Sequence, residues 1–126
     1  MKNYIPKAKD DTKYAKYLKA LPLEAVLADV PELLVWLQDL HWDAAQGVAM
    51  YFRPYVNEIK RELIEILSDN DAEWKLGVMT VMAYSTNKLD QELITALKYV
   101  ADHPTEEDQE QSLDNLAKEI IAQNLL

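Results

Sequence analysis

Two stretches decide the fold: LLVWLQDLHWDAAQGVA at residues 33–49 and LIEILSDNDAEWKLGVM at residues 63–79. They align at an offset of 30 residues, which matches Asp39 with Asp69. In each stretch an apolar run at helical spacing precedes an Asp-bearing turn, and a second helical run follows it. The pattern predicts two similar antiparallel helix pairs and resembles the HEAT-like type of repeat.

The two glycines of the chain, Gly47 and Gly77, lie in the same phase of these pairs. A glycine within a helix costs about 1 kcal/mol relative to alanine, so its presence there needs a physical reason. We expect each glycine to mark a place where a neighbouring helix approaches closely.

Helical spacing continues over nearly the whole chain of 126 residues. We expect one domain with basic N-terminal helices over 1–28, the two similar pairs over 30–84, and a third, capping pair over 87–126. The sequence predicts an all-α protein of about seven or eight helices in a HEAT-like stack, an α–α superhelix, with a compact helical bundle as the alternative. Its last helix could run for about 20 residues. Helix caps are predicted at Asp29, Asp43, Asp71 and Thr105, the last with Asp108 at the third position of its helix.

Charge is distributed unevenly, with 13 Lys and Arg against 22 Asp and Glu and a net charge of −9. Residues 1–20 carry +4 and residues 21–126 carry −13. The acidity argues against nucleic-acid binding, which needs a basic face. Either the charges are solvated or attract each other within the fold, or the acidic surface docks on a basic partner.

Several chemistries are excluded by composition. The absence of cysteine excludes disulfide bonds and thiolate metal sites, and two glycines cannot form a phosphate-binding loop. The loop that begins at Asp69 fails as a calcium site, because Trp74 replaces the required glycine and Thr80 the required glutamate. We expect no cofactor, no metal and no catalytic motif. No apolar run is long enough to cross a membrane, and a cytoplasmic location is expected.

Four stretches together resemble a known family of short bacterial domains, domain of unknown function 5071. They span residues 5–11, 31–45, 71–75 and 104–108, and the second, with Trp-Leu-Gln-Asp before a further tryptophan, is the most specific. This chain has His41-Trp42-Asp43 where the family tends to have Asn-Trp-Pro. The resemblance implies a helical, HEAT-like fold and implies no activity.

The candidate binding residues lie at the turns of the two pairs. They are Asp39, His41, Trp42, Asp71, Trp74 and Lys75. If the pairs stack, these residues gather on one edge. Either they have structural roles, in which the Asp residues cap helices, the tryptophans fill the seam between pairs and Lys75 pairs with an Asp, or they form a recognition edge, since tryptophan is enriched at binding hot spots.

The sequence therefore favours a non-enzymatic helical module that binds another protein, and its acidity would suit a basic partner. An acidic immunity-type or mimic protein that masks a basic partner is the alternative. A small hydrolase or nucleic-acid enzyme is the second alternative, and it would need a pocket in which carboxylates and a histidine converge.

Overall fold

The computed structural model describes residues 2–125, and these residues are helical without any strand. The α-helices are α1 Ala15–Lys19, α2 Leu23–Val26, α3 Val30–Val35, α4 Asp43–Phe52, α5 Lys60–Leu67, α6 Ala72–Ala83, α7 Gln91–Asp102, α8 Glu106–Glu110 and α9 Leu113–Gln123. Three 3₁₀ turns, Leu27–Asp29, Trp36–Gln38 and Arg53–Tyr55, extend α2, α3 and α4. One of these nine α-helices of residues 2–125, α2, is only a single turn of four residues. The prediction of an all-α protein with about eight helices is therefore confirmed.

The helices pack in two rows. In one row α1 contacts α4, α4 contacts α6 and α6 contacts α9; in the other, α5 contacts α7. Across the rows, α5 packs on α6 and α7 packs on α9. One cluster of buried side chains joins both rows, from Tyr14 and Leu18 to Ala117 and Ile120. The HEAT-like arrangement of these helices stays a prediction.

Tyr14 ties the start of the chain to α4. Its side chain is 2% exposed, and its hydroxyl donates to the carbonyl of Ala44 and accepts the N–H of Val48 at 2.9 Å. These two backbone groups stand in the i, i+4 relation of a helix, so the hydroxyl sits against the helix backbone itself. Burial raises the pKa of this hydroxyl to about 12, which keeps it protonated.

Both glycines lie where a neighbouring segment leaves no room for a side chain. A Cβ atom on Gly47 would lie 2.9 Å from the Cβ of Ala15 and would crowd the Tyr14 hydroxyl. A Cβ atom on Gly77 would overlap the backbone carbonyl oxygen of Leu37. The prediction that the glycines mark close approaches is confirmed.

Two of the four predicted caps are confirmed. The Asp71 carboxylate accepts the backbone N–H of Trp74 at 3.1 Å at the start of α6. Thr105 and Asp108 form a reciprocal capping box at the start of α8. Both caps are made by residues close in sequence to the N–H groups they satisfy.

The side-chain cap bonds predicted at Asp43 and Asp29 are absent, although Asp29 does occupy the cap position of α3. Asp43 is the first residue of α4, and Trp42 occupies the cap position without a side-chain hydrogen bond. Asp29 makes no cap bond either, because its carboxylate accepts from Lys2 at 2.6 Å and from the Tyr4 hydroxyl. At Asp29, side chains distant in sequence are the hydrogen-bond donors in place of the backbone N–H groups at the start of α3.

The prediction of one long C-terminal helix was also wrong. Ser112 adopts φ 57°, which ends α8 and lets α9 start in a new direction. The break allows α8 to present Asp108 to Lys75 while α9 buries Leu113 and Ala117 in the core. An unbroken helix has one fixed relation between these faces.

We predict that Gly77→Ala destabilises the protein by about 1 to 3 kcal/mol, although helix propensity alone would favour alanine. The reason is that backbone, which cannot rotate away, faces the added methyl group. Gly47→Ala is the matched control and should cost less, because a side-chain hydroxyl is the nearest obstacle. Urea unfolding measures both, and a Gly77→Ala variant as stable as the parent would contradict the close approach.

The corrected caps give a second prediction. Asp71→Ala should lower the free energy of unfolding by about 1 kcal/mol, because it removes the acceptor for the Trp74 N–H. Asp43→Ala should cost only a few tenths of a kcal/mol through the helix dipole. Equal losses in parallel thermal or urea unfolding would show that Asp43 also caps its helix.

Candidate functional site

The turn before α4 carries a surface pair of tryptophans. Trp36 and Trp42 meet edge to face, with ring centroids 6.0 Å apart and an interplanar angle of 71°. Both rings are half-buried. The ammonium group of Lys9 lies 5.0 Å from the centroid of the Trp42 ring, within the range of a cation–π contact. Trp42 is thus held in place from two sides while part of its surface stays open to solvent.

Asp39 and His41 form the outer part of the same turn. The Asp39 carboxylate accepts the backbone N–H of His41 at 2.8 Å and lies 3.0 Å from its imidazole Nδ1. The backbone hydrogen bond, more than the imidazole, holds the pKa of Asp39 below its usual value. The His41 side chain is 94% exposed, so its ring is free to contact a second molecule.

Asp71 and Trp74 have structural contacts instead. Asp71 caps α6, and the Trp74 indole N–H donates to the backbone carbonyl of Leu34 at 2.9 Å. Trp74 therefore crosses from α6 to α3 and fills the seam between the two similar pairs. A small hollow of about 110 Å³ remains beside it, lined also by Pro31 and Glu65.

Lys75 is buried in an ion pair. Its ammonium group lies 3.0 Å from Oδ2 and 2.7 Å from Oδ1 of Asp108, and the side chains are 3% and 2% exposed. Oδ2 also accepts the backbone N–H of Thr105, whereas Oδ1 has only the off-angle ion contact with Lys75. Burial pushes the pKa of Asp108 upward, but the hydrogen bonds from Lys75 and Thr105 outweigh it and leave the pKa lowered.

The ion pair forms the floor of a cleft of about 180 Å³ between the α5–α6 turn and the start of α8. Asp69 and His103 line it as well, so it holds the residue types that the enzyme alternative requires. The geometry does not converge, however. Within residues 2–125 the His103 imidazole forms no hydrogen bond with a carboxylate; its ring packs against Tyr99 at a tilt of 40°, with ring centroids 4.8 Å apart. Asp108 is already paired with Lys75.

Metal binding has no geometric basis in the part of the chain that the structure describes. Among residues 2–125, no three His, Asp or Glu side chains gather closely enough to hold an ion. Over the same residues, no helix has the length and apolar character of a membrane span.

The family assignment rests on the sequence match that accompanies this fold. The family model described as "Domain of unknown function (DUF5071)" matches residues 4–121. The chain belongs to the DUF5071 family. The match covers nearly all of the sequence and includes the tryptophan turn and the Lys75–Asp108 pair. No curated protein matches the chain.

In this DUF5071 protein the six predicted site residues divide into two groups. Asp39, His41 and Trp42 form one surface turn, while Asp71, Trp74 and Lys75 serve the α6 cap, the seam and the ion pair. Within residues 2–125, no hydrogen bond, ion pair or ring contact joins the groups. A binding role for all six stays a prediction.

Two residues that contribute to these sites, Trp36 and Asp108, are not among the site residues predicted from the sequence. Trp36 flanks the apolar stripe of its helix, and its position six residues before Trp42 was a usable signal. Asp108 was recognised only as part of a capping box. Its pairing with Lys75 joins residues 33 positions apart, and no local pattern encodes that contact.

We predict that Lys75→Met lowers the free energy of unfolding at pH 7 by about 3 to 5 kcal/mol, because it leaves the Asp108 charge buried without a partner. The double variant Lys75→Met/Asp108→Leu removes both charges and should be more stable than Lys75→Met, although it loses the bond to Thr105. Urea unfolding compares them. A loss below about 1 kcal/mol for Lys75→Met would contradict a buried pair.

The same pair gives a dependence on pH. Because the folded-state pKa of Asp108 is lowered, its stabilisation is present above its unfolded pKa of about 3.9 and is lost as pH falls through the folded value. The stability difference between the parent and Asp108→Asn should therefore shrink below about pH 4. A difference that stays constant from pH 7 to pH 3 would refute this linkage.

Proposed function

We propose that this protein is a non-enzymatic helical module that binds another protein through the tryptophan turn, residues 36–42. The observation that carries the proposal is the half-buried Trp36–Trp42 pair beside the exposed His41 side chain. Large aromatic surfaces are normally buried, and tryptophan dominates the energetics of many protein interfaces.

The turn has further properties of a recognition site. Trp42 is fixed by Trp36 and by Lys9, so a partner would meet a rigid surface and order few side chains on binding. Asp39 supplies a carboxylate beside the rings, and its oxygen is oriented by the His41 N–H. A partner that combines an apolar group with a hydrogen-bond donor or positive charge would complement this surface.

The proposal includes a HEAT-like stack as the scaffold. Support comes from side-chain bonds between neighbouring units that recur at nearly the same separation in sequence. Tyr14 to Ala44, Tyr51 to Leu21 and Lys60 to Asp90 each span 30 residues, the offset of the two similar stretches. Contacts at the repeat length are expected when successive units stack in register. A bacterial source and a cytoplasmic location are parts of the same proposal. The cysteine-free composition favours the cytoplasmic location.

The test compares Trp42→Ala with Trp74→Phe in affinity capture from the native host, followed by calorimetric titration of the purified partner. Trp42→Ala should remain folded and weaken binding at least about tenfold. Trp74→Phe removes the bond to Leu34 and should lose about 1 kcal/mol of stability with unchanged affinity. If Trp42→Ala stays folded and binds the same partner with the same Kd, the tryptophan turn is not the interface.

A basic partner masked by this protein is the second candidate function. Its support is the charge of −13 over residues 21–126. Opposite charges accelerate association, and salt screens this attraction, since the Debye length falls from about 10 Å at 0.1 M to about 3 Å at 1 M. An association rate that drops steeply over this range supports the masking function, and a rate that does not change contradicts it.

A further inference from the structure

The N-terminal end of the protein is a basic surface. Lys7, Lys13, Lys16 and Lys19 are exposed. Among residues 2–125, no carboxylate lies within ion-pair distance of their ammonium groups. The nearby Asp11 instead accepts the backbone N–H groups of Lys7 and Lys13. These four lysines form what we term the basic end.

A groove between α1 and α4 opens within the basic end. It has a volume of about 280 Å³, a floor that includes Ala15, Gly47 and Tyr51, and a rim that carries Lys16 and Lys19. Met50, which also lines it, is 59% exposed. A hollow of about 470 Å³ adjoins it and shares Lys16. An apolar floor beneath two ammonium groups fits a segment that carries both apolar side chains and carboxylates.

The other end of the same row of helices has the opposite charge. Apart from Asp108, which Lys75 neutralises inside the protein, residues 104–125 carry a net −4, from Glu106, Glu107, Glu110, Asp114, Glu119 and Lys118. Glu107 and Glu110 are exposed on α8 and stand three residues apart, as do Lys16 and Lys19 on α1. Leu125, which follows α9, is 81% exposed and adds an apolar side chain to this acidic end.

We propose that the groove of the basic end binds the acidic end of a second copy of this chain. Contacts run from α1 to α4, α6 and α9 in order, with α8 packed on α9, and among residues 2–125 no ion pair joins the basic end to the acidic end. In a second copy, carboxylates one helical turn apart meet ammonium groups one turn apart. This surface is separate from the tryptophan turn, and the inference stands independently of the proposed function.

The contact uses different surfaces on the two copies, so it is head to tail. Such an interface extends into open chains of molecules unless a rotation closes it into a ring. The net charge of −9 per copy opposes assembly at long range, and the ion pairs between exposed side chains that hold the contact are weak and are weakened further by salt. Association is therefore expected to be weak and to depend on concentration.

Sedimentation velocity on the full chain tests the proposal from about 10 µM to about 1 mM, which covers weak association. At 0.1 M salt the average mass should rise above 14.5 kDa with concentration, and 1 M salt should reverse the rise. Lys16→Glu/Lys19→Glu and Glu107→Gln/Glu110→Gln should each stay monomeric. Mixed together, they should form dimers and nothing larger, because each variant retains one working end.

Arg61→Glu/Lys98→Glu is the matched control, since it changes the net charge as much as Lys16→Glu/Lys19→Glu but alters exposed positions on α5 and α7. It should assemble within about threefold of the parent. A parent chain that stays monomeric at about 1 mM overturns the proposal. Binding of the monomer to phosphatidylserine vesicles, lost in Lys16→Glu/Lys19→Glu, would assign the basic end to a lipid surface instead.

Discussion

The structure depends on two close approaches between a helix and a neighbouring segment, at Gly47 in α4 and at Gly77 in α6. At each glycine the neighbouring segment leaves no space for a Cβ atom. The Tyr14 hydroxyl occupies the space at the first, and the carbonyl of Leu37 occupies it at the second. These contacts set how near α4 lies to α1 and how near α6 lies to the Trp36–Gln38 turn.

The remaining polar contacts connect units that the glycines bring together. Tyr14 reaches α4, Trp74 reaches α3, and Lys75 reaches Asp108 in α8, each across 30 or more residues. All three are at least half-buried, where an unpaired polar group would cost more than a lost surface contact. The polar bonds therefore fix how these helices align with one another, while the apolar core supplies most of the driving force.

Some residues at the turns make structural contacts, and others remain accessible at the surface. Trp74 and Lys75 point inward and are satisfied by other elements, whereas His41 and one side of Trp42 stay open. The charges divide in the same way: Lys75 is neutralised inside, and the lysines of the basic end are not. The open groups are the ones on which the proposals about partners rest.

The sequence by itself determined the all-α class, the close approaches at both glycines and the caps at Asp71 and Thr105. Each depends on residues near one another in the chain, or on a glycine, which is unfavourable inside a helix unless the packing requires it. Tertiary structure decided that Asp29 binds Lys2 and Tyr4, that Ser112 breaks the last helix, and that Lys75 is buried with Asp108. Those outcomes depend on partners that only tertiary packing brings close. Such contacts change the free energy of a buried charge or a helix cap, and the local sequence pattern does not predict them.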